Sequence, residues 1–160
     1  MEQRYTNNQN RGGGFNHNRP NNNQGQQRSG GDNRGYDRPQ ATIPPITLDY
    51  TKDVELFNTT AQSVSQKIAQ NKKPETKSTQ MRNFYDYVLE LYEQSKTKPF
   101  AEVLPFVKML NSKVAYAKSR SHVNDEFVLM IQECIKQVDS PKKLEIFKLF
   151  FEALIGFSKK

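Results

Sequence analysis

The chain has 160 residues, a formal charge of +7 and a pI near 9.5, which is length for one domain of ordinary size. A single cysteine, Cys134, excludes an internal disulfide framework and a Cys-rich zinc site. No stretch approaches the roughly 18 apolar residues of a membrane span, and the basic balance makes a polyanion the first partner to weigh against a merely solvated Lys-rich surface.

Composition divides the chain near residue 40. Residues 1–40 hold no Leu, Ile or Val, nearly all the Gly and most of the Asn, with six Arg and three acids for a charge of +3. Such a segment has too little apolar surface to offset the entropy of ordering its backbone, so a disordered tail over 1–44 is expected. Arg11-Gly12-Gly13-Gly14 and Arg34-Gly35-Tyr36 put guanidinium and aromatic planes on a flexible backbone, suited to stacking on RNA bases; the same low complexity also occurs as a passive extension. Met1-Glu2-Gln3-Arg4 leads into no apolar run, so no secretory signal is expected and a cytoplasmic location is. The rest of the chain carries eighteen basic and fourteen acidic groups, for +4, and all the Leu, Ile and Val. Pro44-Pro45 marks the edge of the ordered domain, 45–160, because paired prolines favour extended backbone.

Five amphipathic segments follow. Over about 53–70, Val54, Phe57, Ala61, Val64 and Ile68 recur in steps of three and four, one stripe of a helix. A polar linker, 71–77, contains Pro74. Ser78 or Thr79 is placed to cap a second helix lined by Met81, Phe84, Tyr85, Val88 and Tyr92. The third segment, about 99–120, turns Val103, Val107, Leu110, Val114 and Ala117 to the core; Pro99 suits its first turn, and Pro105 predicts a kink or short break. Asn124 caps a fourth helix whose first turn carries Asp125 and Glu126 and whose buried stripe is Phe127, Ile131, Cys134, Ile135 and Val138. Ser140-Pro141 opens a fifth, apolar on most of its circumference from Leu144 to Phe157, and so buried centrally or against a partner. The fold class is all-α: a single bundle of about five helices behind the tail.

Catalytic groups are not organised anywhere in the sequence. His17 lies in the tail and His122 in a short turn, so no His pair shares a helical face for a metal. No Gly-rich phosphate loop joins a strand to a helix. Glu75-Thr76-Lys77 has the Glu-x-Lys form of some metal nucleases but lies in the linker with no strand and no upstream Asp. Neither cofactor nor metal is expected. The third helix is more informative: Met109, Lys113, Tyr116 and Arg120 fall on one stripe in steps of four, three and four, with the two cations roughly 10 Å apart along the axis. Lys113 and Arg120 could then contact neighbouring or next-neighbouring phosphates; the competing reading is a boundary stripe whose stems shield the core. Arg82 stands in the first turn of the second helix, where the helix dipole disfavours a cation, unless its partner is Asp86 four residues on.

Three stretches in order resemble the small subunit of the type III-A CRISPR effector, the Csm complex: Ser78-Thr79-Gln80-Met81-Arg82-Asn83-Phe84, Lys113-Val114-Ala115-Tyr116-Ala117-Lys118-Ser119-Arg120 and Phe151-Glu152-Ala153-Leu154-Ile155-Gly156-Phe157. The resemblance spans roughly residues 53–160. It implies a non-catalytic RNA-binding subunit that stacks in several copies along the guide RNA–target RNA duplex. Beside it would lie a filament of backbone subunits and a large subunit, which carry the catalysis. Carried over, it implies that Arg82, Lys113 and Arg120 face RNA, with Lys118 following and Tyr116 in the same stripe. Gln80, Asn111 and Ser119 depart from frequent family residues, Lys, a basic residue and Gly, which implies fewer phosphate contacts per copy. The tail is no part of the family pattern. Two other readings stay open on the residues alone: a helical scaffold docking on protein partners, and a free-standing RNA-binding protein acting through its Arg/Gly tail.

Overall fold

A computed structural model describes residues 40–158, and the expected disordered tail lies outside the described residues except for its last few positions. Five α-helices follow one another: α1 Ala61–Gln70, α2 Ser78–Ser95, α3 Phe100–Ser119, α4 Asp125–Gln137 and α5 Pro141–Ser158. Among the described residues there is no strand, only one isolated bridge between Lys72 and Glu75. The fold is the expected all-α bundle.

Helix α5 packs against both α1 and α2, while α3 packs against α4 and α2. Its buried residues Leu144, Ile146, Phe147, Phe150, Phe151 and Leu154 spread around the helix, as its sequence requires. Phe151 sits at the centre of an aromatic cluster, 5.9 Å from Tyr85, 6.1 Å from Phe127 and 6.0 Å from Phe147 by ring centroids. Edge-on, tilted and stacked rings, all three of which occur here, add about 0.5–1.5 kcal/mol per pair beyond area burial. The core stripes expected of α3 and α4 are buried throughout, Cys134 included.

The first helix departs from its expected register. Leu56–Thr60 forms a π-helical turn ahead of α1, and residues before it are turn, so the helix starts later than 53. Val54, expected in the core, is 83% exposed, and Leu56 is buried in its place. A π turn closes i→i+5, so Leu56 lies over Ala61, five residues on, and the 3.6-residue stripe resumes at Val64 and Ile68. Two further expectations are corrected at helix starts. Lys77 occupies the cap position of α2 without a side-chain bond, and Ser78 is already helical. Pro99 caps α3 rather than entering its first turn, and α3 runs unbroken through Pro105. The N–H that Pro105 lacks would have bonded the carbonyl of Ala101; both residues are exposed, so that carbonyl is open to solvent and the helix continues without a break.

The cap at the start of α4 forms as expected, and it does more than close a helix. Asn124 accepts from the Phe127 N–H at 3.0 Å and donates to the carbonyls of Ile68 and Asn71 at 2.7 and 3.0 Å. It thereby satisfies the carboxyl end of α1 and the amino end of α4 together. At the opposite end of α4, the Gln137 amide brackets the extended segment ahead of the bundle. It accepts from the Leu48 N–H and donates to the Ile46 carbonyl, both at 2.8 Å, while Ile43, Ile46 and Leu48 pack on the core.

Candidate nucleic-acid interface

Because Val103, Val107, Leu110, Val114 and Ala117 bind α3 to the core, the residues one step around the helix are held along its rim facing α2. That rim carries Phe106, Met109, Lys113, Tyr116 and Arg120, all exposed, with Tyr116 66% accessible. Lys113 and Arg120 make no ion pair with a carboxylate among the described residues. The Lys113 ammonium lies 4.4 Å from the centroid of the Tyr87 ring on α2. This cation–π contact is worth about 0.5–1 kcal/mol at an exposed site and orients the cation without neutralising it.

Helix α3 ends where Arg120 needs it to. Ser121 takes a φ of 57°, the His122 N–H returns to the Ala117 carbonyl at 2.9 Å, and the Ser121 N–H to that of Lys118 at 2.8 Å. This paired closure of the last turn fixes Arg120 at the helix end and swings His122 back beside Tyr116. Between α2 and α3 a groove of about 310 Å³ results, lined by Gln80, Asn83, Tyr87, Lys113, Tyr116 and His122 over a floor of Phe84 and Ala117. No acidic residue lines it.

The other expected RNA contacts are not brought to this rim. Lys118 stands on the opposite flank of α3, paired with Asp125 in the first turn of α4. Lys108, on the same flank, donates to the Ile135 carbonyl at 2.7 Å, so this side of α3 is committed to holding α4. Arg82 projects about 140° around the axis of α2 from Tyr87, toward α5. It is exposed, and its Nε lies 3.6 Å from Asp86 Oδ1, the i,i+4 partner foreseen in the sequence. An exposed pair of that kind contributes only a few tenths of a kcal/mol and leaves the guanidinium open to a phosphate. The stripe Lys113–Tyr116–Arg120 is therefore one surface, and Arg82 and Lys118 belong to two others. Sequence reading missed Tyr87, Asn83, Gln80 and His122 as neighbours of that stripe. For the three on α2 the only signal was a polar or aromatic residue just off its core stripe, and nothing in the chain gives the register of α2 on α3.

The Glu-x-Lys segment and the lone cysteine are occupied structurally or buried. Among the described residues no three His, Cys, Asp or Glu side chains gather to hold a metal. Glu75 pairs with Lys72 at 2.9 Å, and Thr76 accepts from the Asn124 N–H at 2.8 Å, so the Glu-x-Lys segment braces the linker. Burial, with a smaller push from Glu133, drives the Cys134 thiol well above its ordinary pKa, which leaves it protonated and inert. Burial and then Glu90 also raise the Tyr87 phenol, which stays a hydrogen-bond donor at neutral pH. Among the described residues no helix is long and apolar enough to cross a membrane.

The family model described as Csm2 Type III-A matches residues 51–160, which is most of the chain and all five helices. No curated protein and no solved structure matches.

Proposed function

We propose, from the premise that this chain belongs to the Csm2 type III-A family and is a subunit of a type III-A CRISPR effector, that it is a non-catalytic RNA-holding subunit. It associates with the other Csm subunits; in that assembly several copies stack along the guide RNA–target RNA duplex and hold the target strand for antiviral defence. The observation that carries this reading is the exposed rim of α3, where Lys113 and Arg120 flank Tyr116 and neither cation is neutralised by a described carboxylate. Their separation, seven residues or roughly 10 Å along the axis, suits a sugar-phosphate strand, and Arg120 offers a bidentate fork to one phosphate. Arg82 and Lys118 are secondary contacts, since each already has a carboxylate partner. Phosphate contacts carry no sequence information; discrimination comes from pairing with the guide. A single copy binds weakly, and repetition along a filament raises the effective concentration of each contact.

Titrating RNA affinity against salt tests the reading. Affinity falls steeply as salt rises, and the slope becomes shallower by about one for each of Lys113→Ala and Arg120→Ala. Arg82→Ala has a smaller effect. A slope untouched by these changes but abolished by removing residues 1–40 assigns RNA binding to the Arg/Gly tail. Absence of RNA binding, alone and assembled, leaves a protein scaffold.

A further inference from the structure

The groove between α2 and α3 has a chemistry that phosphate contact does not need. Gln80 and Asn83 present amides, Tyr87 and Tyr116 rings and hydroxyls, Lys113 an ammonium and His122 an imidazole. Among the described residues, none of the side-chain polar atoms of Gln80, Asn83, Tyr87, Tyr116 or His122 is engaged in a hydrogen bond. Five uncommitted polar heads thus converge on one depression with an apolar floor, a positive charge at its wall and no carboxylate in its lining. A surface that only met phosphates would need the cations alone. One that only met another protein's apolar side chains would not gather this many donors and acceptors around two aromatic planes. The volume, about 310 Å³, is at the small end of ligand pockets, which run from roughly 300 to 1,000 Å³.

We infer that this groove receives one unpaired nucleotide of an RNA strand. The base lies against the Tyr116 ring, its edge meets the Asn83 and Gln80 amides, its phosphate meets Lys113, and Arg120, outside the groove lining, meets an adjacent phosphate. Stacking on an aromatic face tolerates any base, and amides offer both donors and acceptors, so the site prefers unpaired over paired nucleotides without reading sequence. Positive charge without competing carboxylates favours the polyanion over a second copy of this basic chain as the occupant. The inference rests on the RNA-holding reading and deepens it, from phosphate contact alone to phosphate and base together.

The test compares two short single-stranded RNAs of equal length, one of uridines and one with abasic riboses, binding the full chain at low salt. Fluorescence anisotropy follows their affinities for the wild type, Tyr116→Ala and Tyr116→Phe. The wild type binds the uridine strand at least about fivefold more tightly, Tyr116→Ala loses that preference, and Tyr116→Phe keeps it. Tyr116 is exposed, so its truncation leaves the fold intact, which circular dichroism checks. Equal affinity of the wild type for both strands overturns the nucleotide site while leaving the phosphate reading standing. Equal weakening of both strands by Tyr116→Ala does the same. A change in self-association on sedimentation, with RNA affinities unmoved, assigns the groove to a second copy and overturns the inference. Failure of both strands to bind at low salt overturns it together with the reading beneath it.

Discussion

Asn124 joins three segments through one side chain, and it was legible only in part. As a cap preceding Asp125 and Glu126 it could be read from the sequence, and its bond to the Phe127 N–H is the expected one. Its two donations to the end of α1 could not, because those carbonyls lie 56 and 53 residues away. The buried Glu126 beside it accepts from Asn71 at 2.8 Å, which ties the same junction a second time. Asn124→Ala removes the cap and leaves two carbonyls without their donor, and a loss of about 3 kcal/mol in chemical unfolding is expected. Asn124→Asp keeps the acceptor for Phe127 but loses both donations and buries a charge, so it does not restore stability. A loss below about 0.5 kcal/mol for the alanine variant would show that water takes over these bonds.

Helix α3 shows how an element outvotes one of its own residues. Pro105 removes a backbone bond in the second turn, yet Val103, Val107, Leu110, Val114 and Ala117 bury a continuous stripe on either side of it. Each of the four larger side chains contributes about 1.5–3 kcal/mol, so together they exceed the roughly 3 kcal/mol cost of an interior proline. Because the ring points to solvent, Pro105→Ala restores the bond to Ala101 without disturbing packing, and stability rises by about 1–2 kcal/mol. Thermal melting measures it; an unchanged or lowered melting temperature would mean that the ring itself stabilises this turn. The π turn at Leu56–Thr60 carries the complementary lesson. A search for a 3.6-residue period slides past an i→i+5 turn, and it assigned Val54 to a core position that belongs to Leu56.

For the molecule as a whole, the bundle depends on a segment that is not a helix. Leu48 is fully buried, Ile46 nearly so, and the Gln137 amide holds both from the far end of α4. A chain of residues 40–160 is therefore expected to be more stable than one of 50–160 by about 4 kcal/mol, from two buried side chains and the clamp. Equal denaturation midpoints would place the segment outside the cooperative unit. The proposed RNA-binding surface follows the same division between local and distant determinants. Lys113, Tyr116 and Arg120 were legible as one stripe because they share a helix, and their rotation about its axis is set by residue spacing alone. Tyr87, Asn83 and His122 joined them only once α2 had packed on α3 and Ser121 had turned the chain back. Lys118 and Arg82 were expected to face RNA as well and stand on other flanks, held by Asp125 and facing Asp86. By itself the sequence determined the five helices, their buried faces beyond the first turn of α1, and the family, because periodicity and short motifs are written within a few turns of chain. Only the tertiary structure decided which exposed groups share a surface, because that depends on the packing register between helices, set by the summed fit of many buried side chains rather than by any local signal.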